Sequence, residues 1–248
     1  MKKALTLALL ALLSIVSVEA QRRLPQRPAR PAARPPFREF RNDFDLTAIA
    51  AVLGKSKSLI DLERKLNDSR LRVSNLDFNE DREVDYLRVM EIKENIGNDH
   101  SLHLIVIQAL FDQYDAQDVA TIEIEGESTF DYKIQIVGHP FIYGRNYIVE
   151  PKYNFTPSFI RDMFWRSYVP YISPSSWGHY PTNYRAWPPI SVFEYKSTAS
   201  AIIQANKGAF DKYKMANHRM SQRAAILYQD ISFSAYEKRY PYNRYEKK

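Results

Sequence analysis

From residue 45 onward the apolar positions change period, and the changes divide the chain. "DLTAIAAVLG" opens at Asp45, a residue suited to capping a helix, and stops at Gly54. "SKSLIDLERKLND" then places Leu59, Leu62 and Leu66 at i, i+3 and i+7, one face of a second short helix. Beyond it the period falls to two. The alternation predicts strands over 83–92, 101–111, 117–126, 131–138 and 145–150, joined by short polar loops. Such loops join antiparallel neighbours, because a parallel pair needs a crossover of about a dozen residues or more. "LHLIVIQAL" is apolar on both faces and belongs at the sheet's centre. "VATIEIEGE" sends Ala120, Ile122 and Ile124 one way and Glu123, Glu125 and Glu127 the other. The predicted fold class is α+β: a helical pair packed on an antiparallel sheet of about five strands, then an aromatic and proline-rich wrap and a C-terminal helix. The α+β domain is assigned to 42–150, the wrap to 151–191 and a basic helical region to 192–248.

Charge sharpens these boundaries. Residues 42–150 carry a net charge of −10, 151–206 of +3 and 207–248 of +6. Ahead of them, "QRRLPQRPARPAARPPFREFR" at 21–41 holds seven Arg and five Pro against one Glu. It reads as an extended, solvated linker that buries no core. The first twenty residues, "MKKALTLALLALLSIVSVEA", have two lysines, an apolar run and small residues at Val18 and Ala20. That is the layout of a secretory signal cleaved after Ala20, and it implies export to the periplasm, the cell surface or beyond. No later stretch is apolar for the roughly 20 residues that a membrane span needs.

The absence of cysteine rules out a lipid-anchored precursor cut at a cysteine, a thiol nucleophile and any Cys-based zinc site. Seven glycines leave no glycine-rich phosphate loop. The chain has no His-Glu-x-x-His, no Gly-x-Ser-x-Gly and no Ser-x-x-Lys. His100 and His103 fall on opposite strand faces, and His139 in "VGHPFIYGR" reads as a structural turn histidine. Glu123, Glu125 and Glu127 stand about 7 Å apart along one face. A glycan-directed hydrolase could use such spacing, but the row reads as the solvent face of a sheet.

The sharpest local signal is "LDFNEDREVDYLRVMEI". Asp77, Asn79, Asp81, the Glu83 carbonyl and Asp85 follow the order of an oxygen-rich calcium loop. Arg82 stands where that loop usually has glycine, and Arg88 where a helix-flanked loop has its bidentate glutamate. A helix–loop–helix hand is therefore excluded. A loop feeding a strand remains, and it resembles the calcium turns of integrin-type propeller repeats. The rival is an acidic turn whose carboxylates accept backbone N–H bonds.

The same run, with "HLIVIQA" and "QDVATIEIE", is similar to a family of exported Bacteroidota proteins whose function is not established. The matching residues are Asn75, Leu76, Asp77, Asn79, Asp81, Val84, Asp85, Tyr86, Arg88, Val89, Gln108, Ala109, Gln117, Asp118 and Glu123. The resemblance covers about 45–150 and, loosely, 157–195. It implies compartment and fold and supplies no activity.

In 159–195 eleven of thirty-seven residues are Phe, Trp or Tyr, with five prolines among them. The segment reads as a stiff wrap laying rings on the sheet. Trp165, Arg166, Trp177, Arg185 and Trp187 are its candidates for ligand contact, by stacking and cation–π interaction. The expected role is non-enzymatic binding or structural work at the bacterial envelope, with an anionic glycan, a lipid or a partner protein as ligand. The alternatives are a calcium-stabilised scaffold and the hydrolase. Nucleic acid is disfavoured, because no recognition motif is present and export carries the chain away from the genome.

Overall fold

The computed structural model describes residues 39–96 and 100–245, without the side chains of Asp211 and Lys212. The expected signal segment, nearly all of the Arg/Pro linker and the last three residues lie outside them. The fold is α+β, as the periodicity predicts. Six antiparallel strands lie in sequence order: β1 (Tyr86–Ile96), β2 (His100–Leu110), β3 (Ala116–Gly126), β4 (Tyr132–Gly138), β5 (Ile148–Tyr153) and β6 (Phe210–Ala216). The sixth comes from the region read as a helical tail, and it pairs with β5 from Ile148↔Ala216 to Tyr153↔Phe210.

The helical pair forms where its caps and stripes place it. In α1 (Leu46–Gly54), Asp45 accepts the Thr47 and Ala48 N–H groups at 2.7 and 3.1 Å, satisfying two of the donors a helix start leaves open. Leu46 to Leu53 are all buried, so α1 is a core helix, held against α5 (Val192–Ala205), β5 and β6. Three tyrosines tie its neighbourhood to the rest of the fold. Tyr143 donates to the Phe44 carbonyl, Tyr153 to that of Ala50 and Tyr195 to that of Val73, at 2.7 to 2.9 Å. In α2 (Leu59–Leu66), Ser58 caps the helix, and Leu59, Leu62 and Leu66 are buried over β1.

One hydrophobic core runs from Phe40 to Tyr236 and includes Ala199, Ile202 and Phe210 from the C-terminal region. Two one- to two-turn helices, α3 (Pro140–Tyr143) and α4 (Ser158–Met163), fill the ends of the core layer. On the other face of the sheet lies α6 (Gln222–Ile231), followed by α7 (Ala235–Arg239) at the start of β3. Among the described residues no helix is long and apolar enough to cross a membrane.

Edge strand β1 is covered. Asn67 bonds both the N–H and the C=O of Leu87, at 2.8 and 2.7 Å. Residues 171–173 of the wrap then bond the strand further along, Glu91 N–H to the Tyr171 carbonyl at 2.7 Å and Ser173 N–H to that of Val89 at 3.0 Å. An exposed edge is a template for pairing with other chains. Here helix α2 and the wrap occupy it.

Candidate functional site

Glu63 sits beside Leu62 on the buried stripe of α2, where a carboxylate is expensive unless it is fully bonded. It is. Its Oε1 accepts the hydroxyls of Tyr86 (2.8 Å), Ser173 (2.7 Å) and Ser175 (3.3 Å). Its Oε2 accepts the Val89 N–H (2.9 Å) and the Tyr171 hydroxyl (3.2 Å). One side chain therefore joins the helix, the edge strand and the wrap. The sequence pattern held a trace of it, since position 63 completes the i, i+4 stripe from Leu59 with a charge where an apolar residue is expected.

Above this carboxylate opens a cavity of about 450 Å³. Tyr86, Tyr171, Tyr184, Pro174 and Pro181 wall it, and Arg185 stands at its rim with Arg64 and Arg70, which pair with Asp61 and Asp68. The Tyr86 ring stacks on Tyr180 at 4.7 Å and meets the Tyr184 edge at 5.0 Å, so the wall is braced from behind. Arg185 bonds the Thr182 and Tyr184 carbonyls through one nitrogen. A guanidinium has five N–H donors, which leaves donors for a ligand.

The five predicted contact residues separate. Arg185 lines the cavity. Trp187 is buried and supports it, its ring near Tyr184 and its carbonyl accepting the Val84 N–H at 2.9 Å. Trp177 is half-buried against Tyr86, Leu110 and Ala116. Trp165 and Arg166 are exposed beyond α4 and do not line this cavity.

The acidic loop lies next to the cavity, linked by the Tyr184 hydroxyl and the Val84 carbonyl at 3.4 Å. Asp77 and Asp85 form its buried base, while Asn79, Asp81 and Glu83 are exposed. Asp85 accepts the Phe78 N–H at 2.7 Å, Asp81 that of Glu83 at 2.8 Å, and Asp77 that of Arg82 at 3.3 Å. Arg82 takes φ +73°, the left-handed conformation expected at the glycine position of a calcium loop. Among the described residues no three His, Asp or Glu side chains gather into a metal-holding group.

The other polar residues of the motif meet inside the sheet. Arg88, Gln108 and Asp118 are in register across β1, β2 and β3. Arg88 donates to Gln108 at 2.7 Å, and Gln108 to Asp118 at 2.6 Å. Burial pushes the Asp118 carboxyl up to about 6, against the opposing bonds from Gln108, the Phe233 N–H and Tyr228. These residues tie strands together rather than face a ligand.

The glutamate row does not face solvent as expected. Glu123 is fully buried beneath the segment leading into α6, with Arg219 donating to its Oε1 through two nitrogens. Glu125 pairs with His100 at 3.0 Å, and only Glu127 is exposed. Residues beyond 192, expected outside the sheet as a helical tail, supply its cover.

Ser101, His103 and Glu91 reproduce the connections of a hydrolase triad. Ser101 Oγ lies 3.2 Å from His103 Nε2, and His103 Nδ1 lies 2.7 Å from Glu91 Oε1. Phe164 and Tyr168 cover the imidazole, which has no exposed surface, and Ser101 is 7 % exposed. A nucleophile must reach its substrate, so this set serves packing. His139 caps α3 through Nδ1, and burial, with Arg244 nearby, lowers it to about 4. It is the turn histidine the sequence suggests.

Comparison with protein-family models, with curated proteins and with solved structures finds no match to this chain.

Proposed function

We propose that this protein is an exported, non-enzymatic component of the bacterial envelope that binds an acidic sugar unit in the tyrosine-walled cavity. One observation carries the reading: tyrosine faces and the Arg185 guanidinium, which among the described residues bonds only backbone carbonyls, border a single concavity of about 450 Å³, within the roughly 300–1,000 Å³ of ordinary ligand sites. Tyrosine offers a flat apolar face for a sugar ring and a polar tip. Arginine pairs with a carboxylate in a planar, two-bond geometry. The signal-like N-terminus and the resemblance to exported Bacteroidota proteins support the compartment. Titration calorimetry with uronic-acid oligosaccharides and with neutral ones of equal length tests the reading. Tyr184→Ala is expected to weaken the acidic ligand about tenfold, or about 1.4 kcal/mol. Arg185→Ala is expected to erase the preference for the acidic over the neutral sugar. Equal binding by both variants and the parent, or no binding at all, would end it.

A second reading, the calcium-stabilised scaffold, draws on Arg82 at φ +73°. Arg82→Gly relieves a left-handed side chain, offset in part by the freedom glycine gains on unfolding. The net expected gain is about 0.5 kcal/mol in chelator. On this reading millimolar calcium raises the melting temperature of both proteins, and more so in the glycine variant. Superimposed curves with and without calcium refute it.

A further inference from the structure

At one end of the sheet the chain exposes large rings with no cover. Phe130 in the β3–β4 turn is 98 % exposed, Phe155 beyond β5 is 79 % exposed, and Trp165 beyond α4 is 62 % exposed. The turns that carry them are neighbours. The Thr156 hydroxyl donates to the Thr129 carbonyl at 3.3 Å, and the rings of Tyr132 and Phe164 lie 6.4 Å apart. The α5–β6 turn joins the same end, with the Asn154 N–H on the Ala209 carbonyl at 3.0 Å. Lys133, Lys152, Arg161, Arg166 and Lys207 are exposed around the rings, against exposed Glu127 and Asp131 and half-buried Asp162. Tyr168, Tyr171, Tyr184 and Trp187 of the wrap pack inward at least in part, while Phe193 is a separate exposed ring, 84 % exposed at the start of α5.

We infer that this end of the sheet seats on an anionic lipid surface, with Phe130, Phe155 and Trp165 entering the boundary between headgroups and acyl chains. The rings crown separate turns, so they form a set of points rather than a groove with a partner's shape. Aromatic rings beside exposed cations suit a membrane–water interface, where the ring sits at headgroup depth and the cation meets lipid phosphate. A second copy of the chain is a poorer occupant. Across a twofold interface this patch would meet itself, and its excess of cations would repel. The inference is independent of the sugar-binding reading, since none of its three rings lines that cavity.

The test uses the full chain and vesicles of phosphatidylcholine, alone or with phosphatidylglycerol. The parent is expected to sediment with the anionic vesicles, and less so as salt screens the cations. Its tryptophan emission should shift to the blue and be quenched by lipids brominated in the acyl chain. Phe130→Ser, Phe155→Ser and Trp165→Ser together should lower vesicle binding at least tenfold, with the circular dichroism spectrum unchanged. Residues 1–38 are common to both proteins, so the comparison reads the rings alone. Trp165→Phe alone, a variant with little reason to misfold, should abolish the bromine quenching. Equal binding by parent and triple variant, no binding by the parent, or quenching that persists without Trp165 each overturns the inference. So does a parent dimer that the triple variant converts to monomer, because the rings would then cover a second copy.

Discussion

Glu63→Ala is expected to cost about 4 kcal/mol of stability, enough to unfold a marginal domain. The carboxylate accepts from three side-chain hydroxyls on its Oε1 and from a backbone N–H and a fourth hydroxyl on its Oε2. Alanine leaves four of these donors facing a void, while the Ser175 hydroxyl keeps the Tyr86 oxygen at 3.1 Å. A buried donor stripped of its partner costs about 1–3 kcal/mol, and water entering from the adjacent cavity recovers part of the sum. Glu63→Gln keeps one acceptor oxygen and turns an amide N–H toward donors, so it should fall between the parent and alanine. Urea denaturation measures both. A loss below about 1 kcal/mol for alanine would mean that the wrap and β1 hold together without this residue.

Arg219→Ala should have the second-largest effect, and one that depends on pH. Burial, the largest influence, holds the Glu123 carboxyl above its usual range even with Arg219 beside it. Without the guanidinium the carboxyl rises further, and an uncompensated buried charge of this kind costs about 3 kcal/mol at neutral pH. Below the ordinary carboxylate value of about 4.3 both the folded and the unfolded chain hold the proton, and little is lost. As pH rises through that value the unfolded chain ionises first. The variant then loses stability steadily until the folded carboxyl also ionises. Denaturant midpoints for parent and variant should therefore converge near pH 4 and separate toward pH 7, and Glu123→Gln in the same chain should remove most of the separation. A gap that does not change with pH would assign the role of Arg219 to its packing over the Tyr228 ring, 5.7 Å from the centroid, instead.

The local elements were legible in the sequence and the long-range pairings were not. Asp45, the Leu59–Leu62–Leu66 stripe and the alternation through Ile124 each act within a few residues, and helices and five strands follow from them. β6 escaped because the register shifts between Lys152 and Tyr153. Phe210 pairs with Tyr153 but Tyr213 pairs with Pro151, so the apolar positions skip a step and the period of two is broken. The glutamate row was misjudged for a related reason. "VATIEIEGE" records alternation faithfully, but what covers the charged side is Arg219, ninety-six residues on. In the candidate site, Arg185 and Trp187 stood out by residue type. Glu63 was hidden, because its partners Ser173 and Ser175 lie more than a hundred residues away.

The covered edges of the sheet bear on how the protein is made. Synthesis runs from the N-terminus, so β1 leaves the ribosome long before residues 171–173 that seal its outer side, and β5 waits for β6. The β1 margin stands open until residues 171–173 are made, and the β5 margin until the chain has passed Ala216. A nascent chain stalled short of that point cannot close its own architecture. Late closure leaves the sheet incomplete until its sixth strand has been made.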